Sequence, residues 1–352
     1  MLVLGIESSC DETSAAVIKD STNLLSNVVS SSLELHRQFG GVVPEIAARS
    51  HLEVIIPLIK QTLSDTNCRL SDIDAISVTT GAGLSGSLLV GVLTAKTLAC
   101  QLNKPLVACN HVLGHVFANF ITKSAVSDLS INNPPVVFPA LALIVSGGHS
   151  QIAYFEDYYH YRLLGKTTDD AIGEAFDKVA KILGLPYPGG PSISAAALDG
   201  DSKKYNLPIA KVDKYNFSFS GLKTAVLRLA QQLIGEDYNF PSYELAKRLN
   251  EAQKVDIAAS FQAVAIETLC AKLKLAENEF RPKTILLAGG VAANKLLRQT
   301  IISRSDCQVM MPDIKLCTDN GAMIACLGSF LYSNKQQLTN PYNLSIQPNL
   351  VM

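Results

Sequence analysis

The amino-acid sequence predicts an α/β protein built from two similar lobes. Its 352 residues are 48% hydrophobic and 17% charged, which is enough apolar material for more than one buried core. Two apolar hairpin patterns, at residues 1–18 and 139–155, resemble each other, and three glycine-rich loops follow predicted strands. Because a repeated hairpin indicates a duplicated domain, we expect two α/β lobes with a cleft between them.

The first lobe begins with MLVLGIESSCDETSAAVI, which is typical of an apolar strand, a small polar loop and a second apolar strand. Next, DAISVTTGAG predicts a strand with its loop, LSGSLLVGVLTAKTLACQL a helix, and PLVAC another strand. The following stretch, ACNHVLGHVFAN, predicts a short helix that carries two histidines. We place this lobe at residues 1–137.

The second lobe begins with the matching hairpin PALALIVSGGHSQIAYF and then contains an inserted helical and basic segment at about residues 165–250. In DDAIGEAFDKVAKILG the apolar residues fall on one helix face. These residues are Ile172, Phe176, Val179 and Leu183. The stretch EAQKVDIAASFQAVAIETLCAKLKLA predicts a longer helix.

The α/β pattern returns after this insertion. TILLAGG and CQVMMP predict strands, whereas AANKLLRQTII and DNGAMIACLGSFLYS predict helices. We therefore place the second lobe at residues 138–336. The remaining residues, 337–352, form a polar tail that we expect to lie over the surface.

Glycine-rich loops follow three of the predicted strands, at residues 79–86, 145–150 and 288–294. Glycine lets backbone amides approach a phosphate or ribose, so three such loops at the carboxyl ends of strands favour a nucleotide-type ligand. Ordinary turns also need glycine, which is the structural alternative. The sequence GKTT at 165–168 is not a P-loop, because His160 stands where that motif requires glycine.

Two histidines four residues apart, His111 and His115, lie on the predicted short helix. At that spacing the Cβ atoms are roughly 5–6 Å apart, close enough for both rings to bind one metal ion. Packed or capping histidines show the same spacing, so the pattern leaves both interpretations open. Val112 stands where the H-E-x-x-H motif has glutamate, which excludes zincin-type peptide hydrolysis.

The overall net charge is −1, so the whole molecule does not attract polyanions. Residues 203–228, however, contain six Lys or Arg and one Asp, interleaved with Tyr205, Tyr215, Phe217 and Phe219. This composition fits a nucleic-acid contact surface with stacking rings. The alternative is a solvated insertion whose aromatic rings fold inward.

The sequence also bears on the cellular compartment. It starts with a strand-like apolar run rather than a targeting segment, and its apolar runs fall short of a membrane span. The eight cysteines contain no C-x-x-C pair, which suits reduced thiols. We therefore expect a cytoplasmic protein that does not contact a membrane.

Nine sequence blocks in order resemble one known family. They are GIESSCDETSAAVI, GGVVPEIAARSH, GLSGSLLVG, NHVLGH, VSGGHS, DDAIGEAFDKVAKILGLPYPGGP, FSFSGLKTAV, LAGGVAAN and CTDNGAMIA. Together they resemble the bacterial and organellar branch of the tRNA N6-adenosine threonylcarbamoyltransferase family, formerly described as O-sialoglycoprotein endopeptidases. The resemblance implies two duplicated actin-like, Hsp70-like ATPase lobes of the ribonuclease-H-like type, with a helical insertion in the second lobe.

The resemblance also implies a reaction and a metal centre. The family transfers a threonylcarbamoyl group from threonylcarbamoyl-adenylate to N6 of the adenosine 3′-adjacent to the anticodon, position 37, in tRNAs that read ANN codons, and it releases AMP. Carried over to this chain, the metal ligands are His111, His115 and Asp319. One divalent ion is expected, with iron as the first choice and zinc as the alternative.

Further site residues follow from the same matching. The residues expected to line the substrate are Ile144, Val145, Ser146, Gly147, Gly148, Asp177, Gly190 and Asn294. Asp177 as a solvated helix carboxylate, and Gly190 as part of an ordinary turn, are the structural alternatives. As the acceptor of the N6 proton we propose Asp11, which lies in the first hairpin loop.

The resemblance implies several partners: tRNA, threonylcarbamoyl-adenylate, a related scaffold subunit, a small P-loop ATPase and the synthase that makes the adenylate. Two other functions are compatible with the fold. A small-molecule kinase would not need the His-His-Asp set, and a non-catalytic scaffold paralogue would be expected to lack it. The sequence therefore predicts a metal-dependent acyltransferase.

Overall fold

The computed structural model describes all residues from 1 to 352. They form two compact units, the first made of residues 1–136 and 311–352 and the second of residues 137–310. The sequence predicted that the second lobe extends from residue 138 to residue 336. The structure groups this part differently because helix Gly321–Ser333 packs on the sheet of the first unit.

Each unit contains one β-sheet, of seven strands in the first unit and five in the second. The strands are β1 (Leu2–Glu7), β2 (Glu12–Lys19), β3 (Asn23–Ser31), β4 (Ala75–Gly81), β5 (Leu106–Asn110), β6 (Lys123–Ser124), β7 (Ala140–Val145), β8 (Ser150–Phe155), β9 (Tyr161–Lys166), β10 (Thr284–Ala288), β11 (Gln308–Met310) and β12 (Leu338–Thr339).

The two sheets repeat one topology. The first has the order β12-β5-β4-β1-β2-β3-β6 and the second β11-β10-β7-β8-β9. In each, an antiparallel three-stranded meander, β1–β3 or β7–β9, continues into two parallel strands, β4 and β5 or β10 and β11. The duplication predicted from the two hairpins is therefore confirmed at the level of strand order.

Helices connect and cover these strands. The α-helices are α1 (Leu33–Arg37), α2 (Pro44–Asp65), α3 (Ser85–Leu102), α4 (His111–Phe117), α5 (Ile172–Leu183), α6 (Gly189–Ala196), α7 (Ser220–Leu233), α8 (Ser242–Arg248), α9 (Glu251–Phe280), α10 (Lys295–Arg304) and α11 (Gly321–Ser333). Short 3₁₀ turns occupy residues 70–72, 118–120, 197–199, 290–293, 314–316 and 341–343. Helix α5 matches its predicted face, since its four apolar positions are buried.

Both faces of the first sheet are covered. Leu4 and Ile6 of β1 pack in one apolar cluster with residues of α2 and α3. Gly5, between them, points to the other face and lies against α11. A Cβ atom on Gly5 would lie 2.6 Å from the carbonyl oxygen of Gly321 and 2.7 Å from Cα of Ala325. Glycine therefore allows α11 to approach so closely that its backbone contacts the backbone of β1.

Helix α3 is the one helix long and apolar enough, by length and composition alone, to cross a membrane. It packs on β4 and α2. Val92, Ala95 and Ala99 of this helix belong to the buried cluster of the first unit. Its apolar residues thus account for part of that core.

The polar tail lies on the first unit, as an integral part of it. Strand β12 pairs antiparallel with β5. Farther on, the Gln347 amide donates to the Thr80 carbonyl oxygen (2.7 Å), and the Gly83 amide donates to the carbonyl oxygen of Pro348 (3.1 Å). Leu344 packs against the core cluster. Backbone pairing and apolar burial therefore fix a segment that composition alone marks as loose.

Candidate functional site

Two helix ends bring the predicted metal ligands together within the first unit. His111 and His115 lie on α4, whose first turn is capped by Asn110: its side-chain oxygen accepts from the Leu113 amide (3.1 Å). Asp319 directly precedes the N-cap of α11, Asn320. Because α4 and α11 contact each other, the three side chains meet although they are far apart in sequence.

The geometry of this cluster suits a metal ion. Oδ1 of Asp319 lies 3.6 Å from Nε2 of His111 and 3.3 Å from Nε2 of His115. The three ligand atoms all lie within 4.8 Å of one another. His115 is 1% exposed, its Nδ1 has no hydrogen-bond partner, and its Nε2 faces the Asp319 carboxylate. A bound cation would satisfy this buried imidazole, and an N, N, O donor set leaves coordination positions open.

A second layer of side chains lies behind His111. Its Nδ1 is 3.1 Å from Oγ of Ser9 and 3.5 Å from Oε2 of Glu7, a fully buried carboxylate. Burial would lower the pKa of His111, but the carboxylates of Asp319 and Glu7 outweigh it and raise this pKa to about 9. Glu7 is not among the residues predicted from the sequence. In the sequence it is recognisable as a carboxylate at the end of an apolar strand.

Backbone hydrogen bonds fix the loop that carries Asp11. The carbonyl oxygen of Asp11 accepts from the amide of Ser32 and from its hydroxyl, both at 2.9 Å. The carbonyl oxygen of Cys10 accepts from Nε2 of His51 (3.0 Å) and from Oγ of Ser87 (3.2 Å). Ser32, which follows β3, and helices α2 and α3 thus hold this loop or its flanks in place.

Carboxylates gather around this loop. Burial, followed by the carboxylates of Asp319 and Asp11, raises the pKa of Glu12 to about 9. Burial, followed by Asp11 and Asp319, also raises the pKa of the Cys10 thiol. The carboxylates of Asp11 and Asp319 thus both raise the pKa values of Glu12 and Cys10. Glu12 is not among the residues predicted from the sequence, although it stands next to Asp11.

In the second unit, the loop after β7 contains the first group of predicted substrate residues. Ile144 and Val145 end the buried strand, whereas Gly147 and Gly148 are exposed. The carbonyl oxygen of Ser146 accepts from the Gly173 amide, and that of Gly147 from the Glu174 amide, both at 3.2 Å. The loop therefore rests on the N-terminal turn of α5. A Cβ atom on Gly147 or Gly148 would meet nothing within 4 Å, so open space lies beside the loop.

Asp177 and Gly190 are close to each other in the chain fold. The carboxylate of Asp177 on α5 accepts from the amide of Gly189 (2.7 Å), the first residue of α6. Gly190 follows, and a Cβ atom there would enter open space. Asp177 is therefore not simply a solvated helix carboxylate, because it fixes the start of α6.

Asn294 anchors the loop after β10. Its side-chain oxygen caps α10 by accepting from the Leu297 amide (3.0 Å). Its amide nitrogen donates to Oε1 of Gln262 (2.8 Å) and to Oγ of Ser194 (3.0 Å). The side-chain amide is thus engaged within the protein, and it links α10 to α9 and α6.

The loops after β7 and β10 are neighbours because these strands are parallel and adjacent. Gly289 makes their approach possible. It has φ = +91°, and a Cβ atom there would lie 2.8 Å from the carbonyl carbon of Val145 and closer still to its oxygen. The predicted residues of the loop after β7 therefore lie beside the loop after β10 and the first turn of α5, while Asp177 lies farther along α5 and Gly190 on α6.

The basic segment at 203–228 does not present a row of stacking rings. Phe217 and Phe219 are fully buried and Tyr215 is nearly so. Lys214 pairs with Glu279, and Lys223 lies 3.4 Å from a carboxylate oxygen of Asp170. The alternative with inward-folded aromatic rings therefore describes this segment, and acidic groups from other elements offset part of its charge.

Comparisons with known proteins agree with these features. The family model of tRNA N6-adenosine threonylcarbamoyltransferase matches residues 23–326. A protein of that name from Thermosipho africanus is 47% identical over 355 residues, which cover 99% of both chains. Another from Moorella thermoacetica is 44% identical over 353 residues, which cover 99% of this chain and 96% of the relative.

Solved structures show the fold. Full-length HypF in its phosphate- and nucleotide-bound form matches with a TM-score of 0.59 at 13% identity, over 95% of this chain and 46% of that one. Component A of the (R)-2-hydroxyglutaryl-CoA dehydratase of Acidaminococcus fermentans matches with a TM-score of 0.50 at 14% identity, over 95% and 99%. The two repeated α/β sheets thus confirm the predicted actin-like ATPase fold.

Proposed function

The chain belongs to the tRNA N6-adenosine threonylcarbamoyltransferase family, and from this premise we propose how its residues carry out the transfer. The threonylcarbamoyl group passes from threonylcarbamoyl-adenylate to N6 of adenosine 37, 3′-adjacent to the anticodon, in tRNAs that read ANN codons. N6 forms a bond to the carbamoyl carbon, and the bond from that carbon to the phosphate oxygen breaks, which releases AMP. The N6 proton is transferred to the enzyme.

We propose that His111, His115 and Asp319 hold one divalent metal ion, with iron as the first choice and zinc as the alternative. The meeting of buried His115 with His111 and Asp319 supports this assignment, and imidazole with carboxylate suits either metal. When bound, the ion supplies a Lewis acid that orients and polarises the threonylcarbamoyl group.

The adenylate portion of the donor is assigned to the second unit. We propose that the loop of Ser146, Gly147 and Gly148 binds its phosphate, since open space lies beside the two glycines. Ile144 and Val145 form the buried base of this loop, and Asp177 with Gly190 binds the ribose and adenine side. Asn294 contributes by holding the loop after β10 in shape, because its amide is already engaged.

Asp11 is proposed as the acceptor of the N6 proton. The N6 amine is a weak nucleophile because its lone pair is delocalised into the purine ring, so removal of its proton during attack assists the reaction. The bonds that hold the Asp11 and Cys10 carbonyls fix the backbone that presents this carboxylate. Positioning of the reactants supplies further acceleration, since the mixed anhydride is already activated.

The partners follow from the same proposal. The protein acts on tRNA in the cytoplasm, beside a synthase that makes the adenylate, a small P-loop ATPase and a related scaffold subunit. Support for a partner subunit comes from a face of α2 and α3 on which four aliphatic side chains are exposed. They are Leu52, Ile56, Leu89 and Leu93, with exposures of 66%, 47%, 46% and 51%.

The observation that carries the proposal is the convergence of His111, His115 and Asp319 in a chain 44–47% identical to named transferases. The test incubates the purified protein, its partner subunits and unmodified tRNA with threonylcarbamoyl-adenylate, followed by mass spectrometry of nucleosides. Modified adenosine should appear together with an equal amount of AMP. The Asp319→Asn variant should lose bound metal and most of the activity.

Controls separate the alternative functions. A kinase would transfer phosphate from ATP to a small molecule without the adenylate, and a scaffold paralogue would leave the tRNA unmodified when it is the sole candidate transferase present. Metal analysis of the same preparation tests the centre independently. Unmodified tRNA after incubation with active partner subunits would contradict the proposal.

A further inference from the structure

Beyond the three ligands, we infer that Glu7 is a positioning residue that fixes His111 as a metal ligand. This inference rests on the proposed metal centre. It starts from the environment of Glu7, whose carboxylate is fully buried at the end of β1. A buried carboxylate is costly unless donors surround it, and the structure supplies three such donors.

The donors hold Glu7 in one orientation. Oε1 of Glu7 accepts from the amide of Ser9 (2.6 Å). Oε2 accepts from the hydroxyl of Thr79, and it faces Nδ1 of His111 at 3.5 Å. Two of these partners belong to the protein frame, the loop after β1 and strand β4, so the carboxylate cannot turn away without losing them.

This arrangement decides which nitrogen of His111 is free for a metal ion. A carboxylate only accepts hydrogen bonds, so Nδ1, facing Oε2 of Glu7 and Oγ of Ser9, carries the proton. Nε2, 3.6 Å from Oδ1 of Asp319, is then the nitrogen that a cation could bind by displacing its proton. The opposite tautomer would direct the Nδ1 lone pair at the buried Glu7 carboxylate, whereas a cation bound at Nε2 would separate that nitrogen's lone pair from Asp319.

Two effects on the metal follow. A carboxylate behind a ligating histidine fixes the ring orientation and makes the ligand nitrogen more basic. In addition, Glu7 and Asp319 together provide two carboxylates, which match the charge of one divalent ion. His115 lacks such support, since its Nδ1 has no hydrogen-bond partner. Glu7 should therefore contribute to metal affinity although it is not itself one of the three ligands.

The experiment measures the affinity of the full chain for Zn²⁺, by competition with a chromogenic chelator. Glu7→Gln keeps the side-chain volume and removes the charge, and loss of such a partner weakens metal binding by about 10- to 100-fold. Thr79→Val removes a partner of Glu7 at nearly constant volume and should give a smaller loss of affinity. The second readout is the Nδ1 proton of His111 in Zn²⁺-loaded, ¹⁵N-histidine-labelled protein, which should exchange faster in both variants.

Matched controls separate this role from general destabilisation. Glu277→Gln changes another buried carboxylate, in the second unit. Ser77→Ala removes a buried hydroxyl on β4 that donates to Leu4 and Ile324 rather than to Glu7. Both should bind Zn²⁺ like the wild type. If Glu7→Gln does not fold, Thr79→Val decides.

The outcomes distinguish the role of Glu7 from the existence of the metal centre. Wild-type affinity and unchanged proton exchange in the Glu7→Gln and Thr79→Val variants would overturn the role of Glu7 and leave the metal centre intact. A wild-type protein that does not bind Zn²⁺ at all would overturn the proposed centre and this inference with it. Weakened binding in the variants, with normal binding in the controls, would support it.

Discussion

The approach of α11 to β1 at Gly5 gives a prediction that links packing to the site. In Gly5→Ala the new Cβ atom would lie 2.6 Å from the carbonyl oxygen of Gly321, where ordinary contact begins at 3.4 Å. The shortfall is 3.4 − 2.6 = 0.8 Å. The obstructing atoms belong to backbone, so relief requires a shift of α11 itself.

We expect this shift to destabilise the first unit. Overpacking of a filled core costs about 1–3 kcal/mol, which lowers Tm by roughly 2–12 °C for a unit of this size. Because Asp319 precedes α11, the same shift should move its carboxylate relative to His111 and His115. Thermal unfolding followed by circular dichroism, together with the Zn²⁺ competition assay, measures both effects on one protein sample.

A second glycine variant provides the control. Gly221 lies in the first turn of α7, and a Cβ atom there would meet nothing within 4 Å. Gly221→Ala should leave stability unchanged or raise it by up to about 1 kcal/mol, since alanine favours a helix. If Gly5→Ala melts like the wild type and binds Zn²⁺ with unchanged affinity, the reasoning about α11 is wrong.

Two further predictions concern the polar groups that hold the loops. Gln262→Leu would leave Ser194 and Asn294 without their shared acceptor, which should lower the free energy of unfolding by about 1–3 kcal/mol. It should also raise KM for the adenylate more than it lowers kcat. Equal changes in KM and kcat would contradict the positioning role. Burial lowers the pKa of His51 below its usual 6.5 despite its bond to Cys10, so its contribution to stability is complete above that value and is lost as pH falls below it. Urea unfolding of His51→Gln between pH 5 and 8 should therefore show a weaker acid dependence than the wild type, and parallel curves would refute this.

Much of the fold could be predicted from the sequence because its signals are local. The hairpin at 139–155 and the helix at 172–183 follow from apolar runs and helical spacing, which neighbouring residues determine. The membership of α11 in the first unit could not be predicted in this way. It depends on the fit of a small-residue helix to β1, and that fit involves residues some 300 positions apart.

The site residues divide in the same way into those that local sequence predicts and those that depend on long-range packing. His111 and His115 were visible as a pair, because one helix sets their spacing. Glu7 was not, since its partners Ser9, Thr79 and His111 meet only in the folded sheet. For the aromatic residues of the basic segment, composition left an exposed surface and an inward-folded insertion both open, and long-range packing buries Phe217 and Phe219.

The division of the chain into units also sets an order of events during synthesis. Residues 137–310 form a continuous unit, whereas the first unit needs residues 311–352 to complete it. At about 5–20 residues per second, a ribosome reaches Asp319 roughly 10–40 s after His111. Until then the face of β1 that α11 covers lacks that helix, while all residues of the second unit have already been synthesised.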